Sequence, residues 1–116
     1  MNVFDLEKEA ERLRRTEGEI GHHTLVEQPG YRAGIVRFRR EKTNPEDPEK
    51  PKEITHPDLD VLAHVIGGSG TLTVRGESRK LVSGMVLHLP AGTPHDFAAV
   101  NEDLVLFYTQ IQANPE

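Results

Sequence analysis

The sequence contains no cysteine among its 116 residues. Disulfide bonds and thiolate chemistry are therefore excluded, and any metal ion would have to be bound by His, Asp, Glu or Gln side chains. Positive charge is also scarce, because 19 acidic residues outnumber 14 basic ones and give a net charge of −5. Binding to nucleic acid or to an anionic membrane is not expected, since both need a concentrated positive field.

Long apolar runs are absent as well, so no segment approaches the length of a bilayer span. The N-terminal stretch MNVFDLEKEAERLRR contains acidic side chains and no central apolar block, which is not the pattern of a secretory signal. We therefore expect a cytoplasmic protein. The composition, 35% hydrophobic and 28% charged, is that of a soluble globular protein, and the length predicts a single domain over residues 1–116.

One helix is predicted, over residues 3–16. Leu6, Ala10 and Leu13 recur at a spacing of four and three residues and form a narrow apolar stripe. Acidic residues near the start and arginines near the end of this segment suit the helix dipole. We expect the helix to pack on a sheet and to take no part in chemistry.

From about residue 21 onward the sequence is typical of short β-strands separated by turns. The predicted strands are GHHTLVEQ, YRAGIVRFRR, VLAHVI, TLTV, RKLV, MVLHL, HDFAAV and LVLFYTQI. The GGSG stretch at residues 67–70 is interpreted as a hairpin turn. The segment EKTNPEDPEKPKE, residues 41–53, has no large apolar side chain and is predicted to be an exposed, mobile loop. The pattern as a whole predicts an all-β sandwich or barrel.

The stretch LPAGTPHDF, residues 89–97, contains the clearest candidate site. Pro90 and Gly92 predict a tight turn between two strands, and His95 begins the second strand, where its imidazole can point at a bound ion. Together with Gly84, these residues match the second motif of the cupin superfamily. That motif runs Gly, five residues, Pro, one residue, Gly, two residues, His.

Over about residues 31–110 the chain thus resembles the cupin superfamily, in its small, single-domain, RmlC-like form. The resemblance implies a double-stranded β-helix, a jelly-roll barrel over about residues 21–112 with the short N-terminal α-helix packed outside. The first cupin motif matches only in part. In the second motif, the asparagine position holds Ala99, with Asn101 two residues further on. In the first motif, His56 and Gly68 match the family. Three positions differ there: Pro48 replaces the first glycine, Ile54 the first histidine and Val61 the glutamate.

The resemblance also implies a divalent metal ion, such as Zn, Fe, Mn or Ni, at the mouth of the barrel. His56 and His95 occupy family ligand positions on strands that usually lie side by side. Asp58 and Asp60 follow His56 in the same turn, and carboxylates suit these metals. Asp60 is adjacent to the glutamate position, so it is the third candidate ligand.

His64 and His88 are further candidates for the same metal site. If position 61 faces the pocket, strand alternation turns His64 away from it. The same alternation turns His88 away from the face of Leu87 and Leu89, so the two histidines are expected as a cross-strand pair on the outer sheet surface or at a subunit contact. A bulge that reversed this parity would instead give a four-histidine site from His56, His64, His88 and His95.

Arginines on the second predicted strand are candidates for anion binding. Arg37 and Arg39 share one face of it, and Arg32 lies near its start. If the face of Arg37 and Arg39 lines the barrel, bidentate hydrogen bonds could hold an anionic substrate; if it is the outer face, they form a solvated stripe. His22 and His23 begin the first strand, and at least one of them is expected at the surface.

Two functions follow as hypotheses. One is a small metalloenzyme, in which the ion polarises an oxygen-rich substrate or activates water or dioxygen. The other is a metal-free cupin that binds a small molecule or serves as a dimeric module. The missing ligands at positions 54 and 61 favour the metal-free protein, and the intact second motif favours the metal. Catalytic residues are not assigned; the expected partners are a small-molecule ligand and a second copy in a homodimer.

Overall fold

The computed structural model describes residues 1–18, 20–39, 57–99 and 102–113. The predicted loop at 41–53 and the candidate ligand His56 lie outside these residues. All the strands predicted from the sequence are confirmed, with small shifts of their ends. In chain order, the elements of the described residues are α1 Leu6–Arg14, β1 Ile20–Gln28, β2 Tyr31–Phe38, β3 Leu59–Gly67, β4 Ser69–Val74, β5 Glu77–Val82, β6 Val86–Leu89, β7 Asp96–Ala99 and β8 Leu104–Gln112.

The strands form two antiparallel sheets that pack face to face. The larger sheet has the order β1-β2-β8-β3-β6, and the smaller has the order β5-β4-β7. Alternate residues of each strand point between the sheets, where burial of their apolar side chains stabilises the fold. The predicted all-β jelly roll with an N-terminal helix is therefore confirmed. Its main core consists of Val61, Ala63, Val65, Leu72, Leu81, Leu87, Leu89, Leu104, Leu106 and Tyr108.

The GGSG stretch connects the two sheets, and its interpretation as a hairpin turn is wrong. Strand β3 ends at Gly67 in the larger sheet, where it pairs with β6 and β8. Strand β4 begins at Ser69 in the smaller sheet, where it pairs with β5 and β7. The backbone changes direction at Gly68, which has a φ of 74°. Both strands can then continue to bury their apolar residues in the same core.

Helix α1 is shorter than predicted, because Asp5 caps it. The Asp5 carboxylate accepts hydrogen bonds from two backbone N–H groups of the first turn, at 3.1 and 3.2 Å. Ala10 and Leu13 pack against Ile35 and Val105 on the outer face of the larger sheet. This helix has nine residues, too few to cross a bilayer, and the described parts of the chain contain no membrane-spanning helix.

A fully buried arginine connects the end of α1 to the larger sheet. Arg37 has no exposed surface, and its guanidinium donates to the carbonyl of Gly18 at 3.1 Å and to the Thr16 hydroxyl at 2.8 Å. Arg39 donates to the Thr16 carbonyl at 2.7 Å. A Cβ at Gly21 would lie 2.6 Å from Arg37 Nη2, so the glycine leaves room for the guanidinium. The two arginines thus lie on the outer face of the larger sheet. The segment after α1 covers Arg37 there, so this residue is buried and is not part of a solvated stripe.

Candidate functional site

The turn predicted from Pro90 and Gly92 lies in the connection from β6 of the larger sheet to β7 of the smaller one. Thr93 N–H donates to the Pro90 carbonyl at 3.1 Å, and Gly92 has a φ of 81°, a conformation that favours glycine. The Asp60 carboxylate accepts the N–H of Ala91 at 2.8 Å. In the described structure, this candidate metal ligand therefore fixes the turn to the adjacent strand.

His95 is held inside the barrel directly after this turn. Its side chain is buried, and Nδ1 lies 3.0 Å from the Thr93 carbonyl. Because a carbonyl oxygen only accepts, Nδ1 is the donor in this hydrogen bond. The ring packs edge-on against Phe97, with centroids 5.6 Å apart. The prediction that His95 faces a ligand-binding pocket stays a prediction.

His64 and His88 lie on the outer face of the larger sheet, as strand alternation predicts. Both are exposed, while their neighbours along each strand are buried. Strands β3 and β6 are paired, but His64 is opposite Val86 and His88 is opposite Leu62. The two histidines are therefore diagonal neighbours and not a directly opposed pair. In the described strands, no bulge reverses the alternation between His64 or His88 and their buried neighbours. The inward orientation that a four-histidine site requires is therefore not found for these two residues.

A set of polar side chains lies on the inner face of the larger sheet, which is otherwise apolar. We name it the inner polar row: His22, Thr24, Arg32, Tyr108 and Gln110 on strands β1, β2 and β8. His22 Nε2 is hydrogen-bonded to the Tyr108 hydroxyl, and the two rings are stacked with centroids 5.5 Å apart. Tyr108 and Gln110 are buried, Thr24 and Arg32 are partly buried, and His22, on the edge strand β1, is exposed. The row thus runs from the exposed edge of the sheet to buried positions on its inner face.

Arg32 and Gln110 form the end of the inner polar row that is nearest the turn before His95. Arg32 donates from Nε and Nη2 to Gln110 Oε1, at 3.0 and 2.5 Å. Gln110 pairs with Val61 on β3, and Val61 pairs with Leu89 on β6. Leu89 is the last residue of β6, directly before the turn that leads to His95. The topology therefore brings the row and His95 to the same end of the barrel. The amide that fixes the guanidinium is neutral, and the carboxylate of Glu27 lies 3.8 Å from Arg32 Nη1.

Burial and the charge of Arg32 determine the ionisation of the stacked pair. Desolvation lowers the pKa of His22, and the positive charges of Arg32 and a protonated His23 lower it further. Desolvation also raises the pKa of Tyr108, although Arg32 and the hydrogen bond with Thr24 act in the opposite direction. Both effects favour the uncharged forms, so His22 and Tyr108 form a neutral hydrogen-bonded pair near neutral pH.

The family of the chain is decided by its match to a family model. The model of the cupin domain matches residues 40–109, more than half of the sequence. The chain belongs to the cupin family. Compared with curated protein sequences, this cupin matches none.

Solved structures confirm the cupin fold. The protein TT1209 from Thermus thermophilus has a TM-score of 0.76 and 18% identity, covering 97% of this chain and 98% of that one. A cupin-2 domain containing protein from Shewanella frigidimarina has a TM-score of 0.72 and 16% identity over 95% of both chains. KdgF from Halomonas sp. has a TM-score of 0.69 and 21% identity over 84% of both. At these identities, the similarity extends to the fold alone.

The described residues do not provide a cupin metal centre with four protein ligands. Val61, at the family's glutamate position, is buried in the apolar core and has no donor atom. Asp60 is directed to the turn, and His64 and His88 are on the outer face. Within residues 1–18, 20–39, 57–99 and 102–113, no three His, Asp or Glu side chains converge as metal ligands. Of the candidates in these ranges, His95 is the buried one, and its role as a metal ligand stays a prediction.

Sequence reasoning missed most of the inner polar row, although a signal for part of it exists. Along β8, Leu104, Leu106, Tyr108 and Gln110 alternate with the outward residues, and all are buried. A face that changes from aliphatic to polar near its end indicates a pocket wall. The partner of Tyr108 could not be found in this way, because His22 lies 86 residues away in the sequence.

Proposed function

We propose that this cupin binds a small polar molecule in its barrel, through the inner polar row, without the family's four-ligand metal centre. The observation that supports the proposal is the position of the row on the wall of the barrel. One of its members, Gln110, lies opposite Val61, which is in turn opposite Leu89, at the end of the sheet from which the chain continues to His95. A few polar groups in an otherwise apolar pocket are what orient a small ligand and select it.

The row offers complementary hydrogen-bonding groups to such a ligand. The neutral Tyr108 hydroxyl can donate and accept, and the amide of Gln110 has two N–H donors beside the oxygen that holds Arg32. Arg32 adds a fixed positive charge. Because Gln110 and Tyr108 are buried, these groups are already ordered before a ligand arrives, which lowers the entropic cost of binding.

The ligand-binding proposal is tested with a panel of small molecules. Four classes, namely short carboxylates, polyols, amines and neutral amides, are screened by ligand-observed NMR against the parent protein and Tyr108→Phe. We expect one class to bind, and its affinity to fall about three- to ten-fold in the variant, the usual effect of losing one neutral hydrogen bond.

Tyr31→Phe is the matched control, because Tyr31 lies at the exposed start of β2. It removes the same hydroxyl and should leave the affinity unchanged. Failure of all four classes to bind the parent would contradict the proposal, and so would binding that is equal in the parent and in Tyr108→Phe.

A second candidate function is metal binding through His95, together with His56. What supports it is the hydrogen bond from His95 Nδ1 to the Thr93 carbonyl, because metal-binding histidines are commonly oriented by such a contact on the other ring nitrogen. Asp60 would have to leave Ala91 to join them. A divalent ion bound there would polarise oxygen atoms of a bound molecule.

Metal content separates the two candidates. We expect protein without a histidine tag to hold no stoichiometric metal after exposure to Zn, Mn, Fe or Ni, and its thermal midpoint to be unchanged by a chelator. His64→Ala, on the outer face, serves as the control for His95→Ala. One equivalent of metal in the parent and in His64→Ala, lost in His95→Ala and released at acidic pH, would overturn this expectation and establish the metal site.

A further inference from the structure

The charges around the inner polar row suit a single negative charge. Arg32 is the one permanently cationic side chain on the described inner face of the larger sheet. Glu27, opposite Arg32 on β1, approaches it only to 3.8 Å and is mostly exposed, so solvent screens this pair. The Arg32 charge also acts on the row, where it disfavours the protonated form of His22 and favours ionisation of Tyr108, while the charge of Glu27 opposes it at Tyr108.

We propose that the ligand of this barrel is a small monocarboxylate, bound with its oxygens at the Arg32 guanidinium and beside His22. This inference rests on the proposed function and names the chemical class of the ligand. Gln110 occupies the Nε and Nη2 edge of Arg32 through one oxygen, so the remaining N–H groups are those available to a carboxylate. Val61, which is directly opposite Gln110, offers an apolar surface to a short aliphatic body.

The charge balance favours a carboxylate over a phosphate. One guanidinium neutralises one negative charge, and a phosphate dianion would carry a second charge into a wall built mainly from apolar core residues. The described residues of the row offer no second permanent cation for it.

Binding of the carboxylate is coupled to protonation of His22. The charged groups that act on His22 are Arg32 and His23. The neutral Tyr108 hydroxyl is hydrogen-bonded to it. On the side of the helix, Glu9 and Arg12 line a pocket of about 200 Å³ together with His22 and His23. A bound anion offsets the field of Arg32 and favours the imidazolium. The pKa of His22 is therefore higher in the complex than in the free protein, and affinity rises as the pH falls below the histidine range.

The test uses matched charged and neutral probes, propionate with propionamide and lactate with lactamide. Their binding is followed through the side-chain ¹H–¹⁵N resonances of His22 and Arg32. We expect the two acids to bind and the two amides not to bind. Arg32→Gln should weaken acid binding by about ten-fold or more, since it removes a charge-assisted hydrogen bond.

Arg15→Gln is the control for the loss of charge, because Arg15 is an exposed arginine at the end of α1. It should bind the acids like the parent. Between about pH 8 and about pH 5.5, acid affinity should rise several-fold in the parent and stay level in His22→Asn, while the acids themselves remain ionised.

The outcomes distinguish this inference from the proposed function. Equal binding of acids and amides, tighter binding of inorganic phosphate, or unchanged acid binding in Arg32→Gln would overturn the monocarboxylate proposal. A polyol that binds the parent and is lost in Tyr108→Phe would also overturn it, while leaving the ligand-binding function in place. If no probe of any class binds the parent, both fail.

Discussion

We expect Arg37→Ala to lower the free energy of unfolding by about 3 kcal/mol or more, as judged by urea denaturation. Arg37 has no exposed surface, so truncation leaves a cavity beneath the end of α1. It also removes the donors to the Gly18 carbonyl and the Thr16 hydroxyl, which hold the segment after the helix to β2. Both losses act at the point where helix and barrel are joined.

Two further variants separate volume from hydrogen bonding. Arg37→Met keeps most of the volume and loses the donors, so we expect a smaller destabilisation together with faster hydrogen exchange in α1. Arg15→Ala removes an exposed arginine from the same region and should cost less than about 0.5 kcal/mol. If Arg37→Ala were as stable as Arg15→Ala, or if Arg37→Met were as stable as the parent, the role of Arg37 as a hydrogen-bonded anchor would be wrong.

Strand alternation predicted the faces of the barrel correctly. On the premise that position 61 faces inward, it placed His64 and His88 outside, and in the structure Val61 is buried while both histidines are exposed. The rule works because a one-residue shift of a strand would move its buried apolar side chains to the solvent face of the sheet. The cupin motif likewise predicted the turn before His95, where the proline and the positive φ of Gly92 are local requirements.

Features that depend on packing between distant elements were not predicted. Arg37 was expected either to line the barrel or to be solvated, since nothing in β2 itself indicates that the end of α1 covers this residue. The His22–Tyr108 pair joins two strands that do not pair directly, because β2 lies between them. A sequence gives the face of each side chain, whereas the partner across a sheet depends on the strand order.

The sequence alone could not decide whether the protein binds a metal, because only part of the family's ligand set is present. Four family positions make the cupin centre, and two of them carry Ile54 and Val61 here. Asp60 was the predicted replacement ligand because it is adjacent to position 61. The structure directs this carboxylate to the N–H of Ala91, an interaction that stabilises the turn whether or not a metal is bound.

The second large effect is expected from Gly34→Ala, which should disrupt the inner polar row without changing any of its side chains. Gly34 lies opposite Thr24 on one side and Tyr108 on the other. A Cβ there would come within 2.7 Å of both the Tyr108 hydroxyl and the His23 carbonyl. The Tyr108 ring therefore needs a glycine beneath it. We expect a loss of about 2–3 kcal/mol in stability, typical of overpacking, and loss of carboxylate binding.

Gly30→Ala is the matched control, since this glycine has a φ of 91° and open space where the Cβ would be. It should cost about 1 kcal/mol through backbone strain and leave ligand binding intact. The double variant Gly34→Ala/Tyr108→Phe should be less destabilised than the sum of its two single changes, because one of the two closest oxygens is gone. Additive losses, or normal binding in Gly34→Ala, would show that Tyr108 does not depend on the space above Gly34.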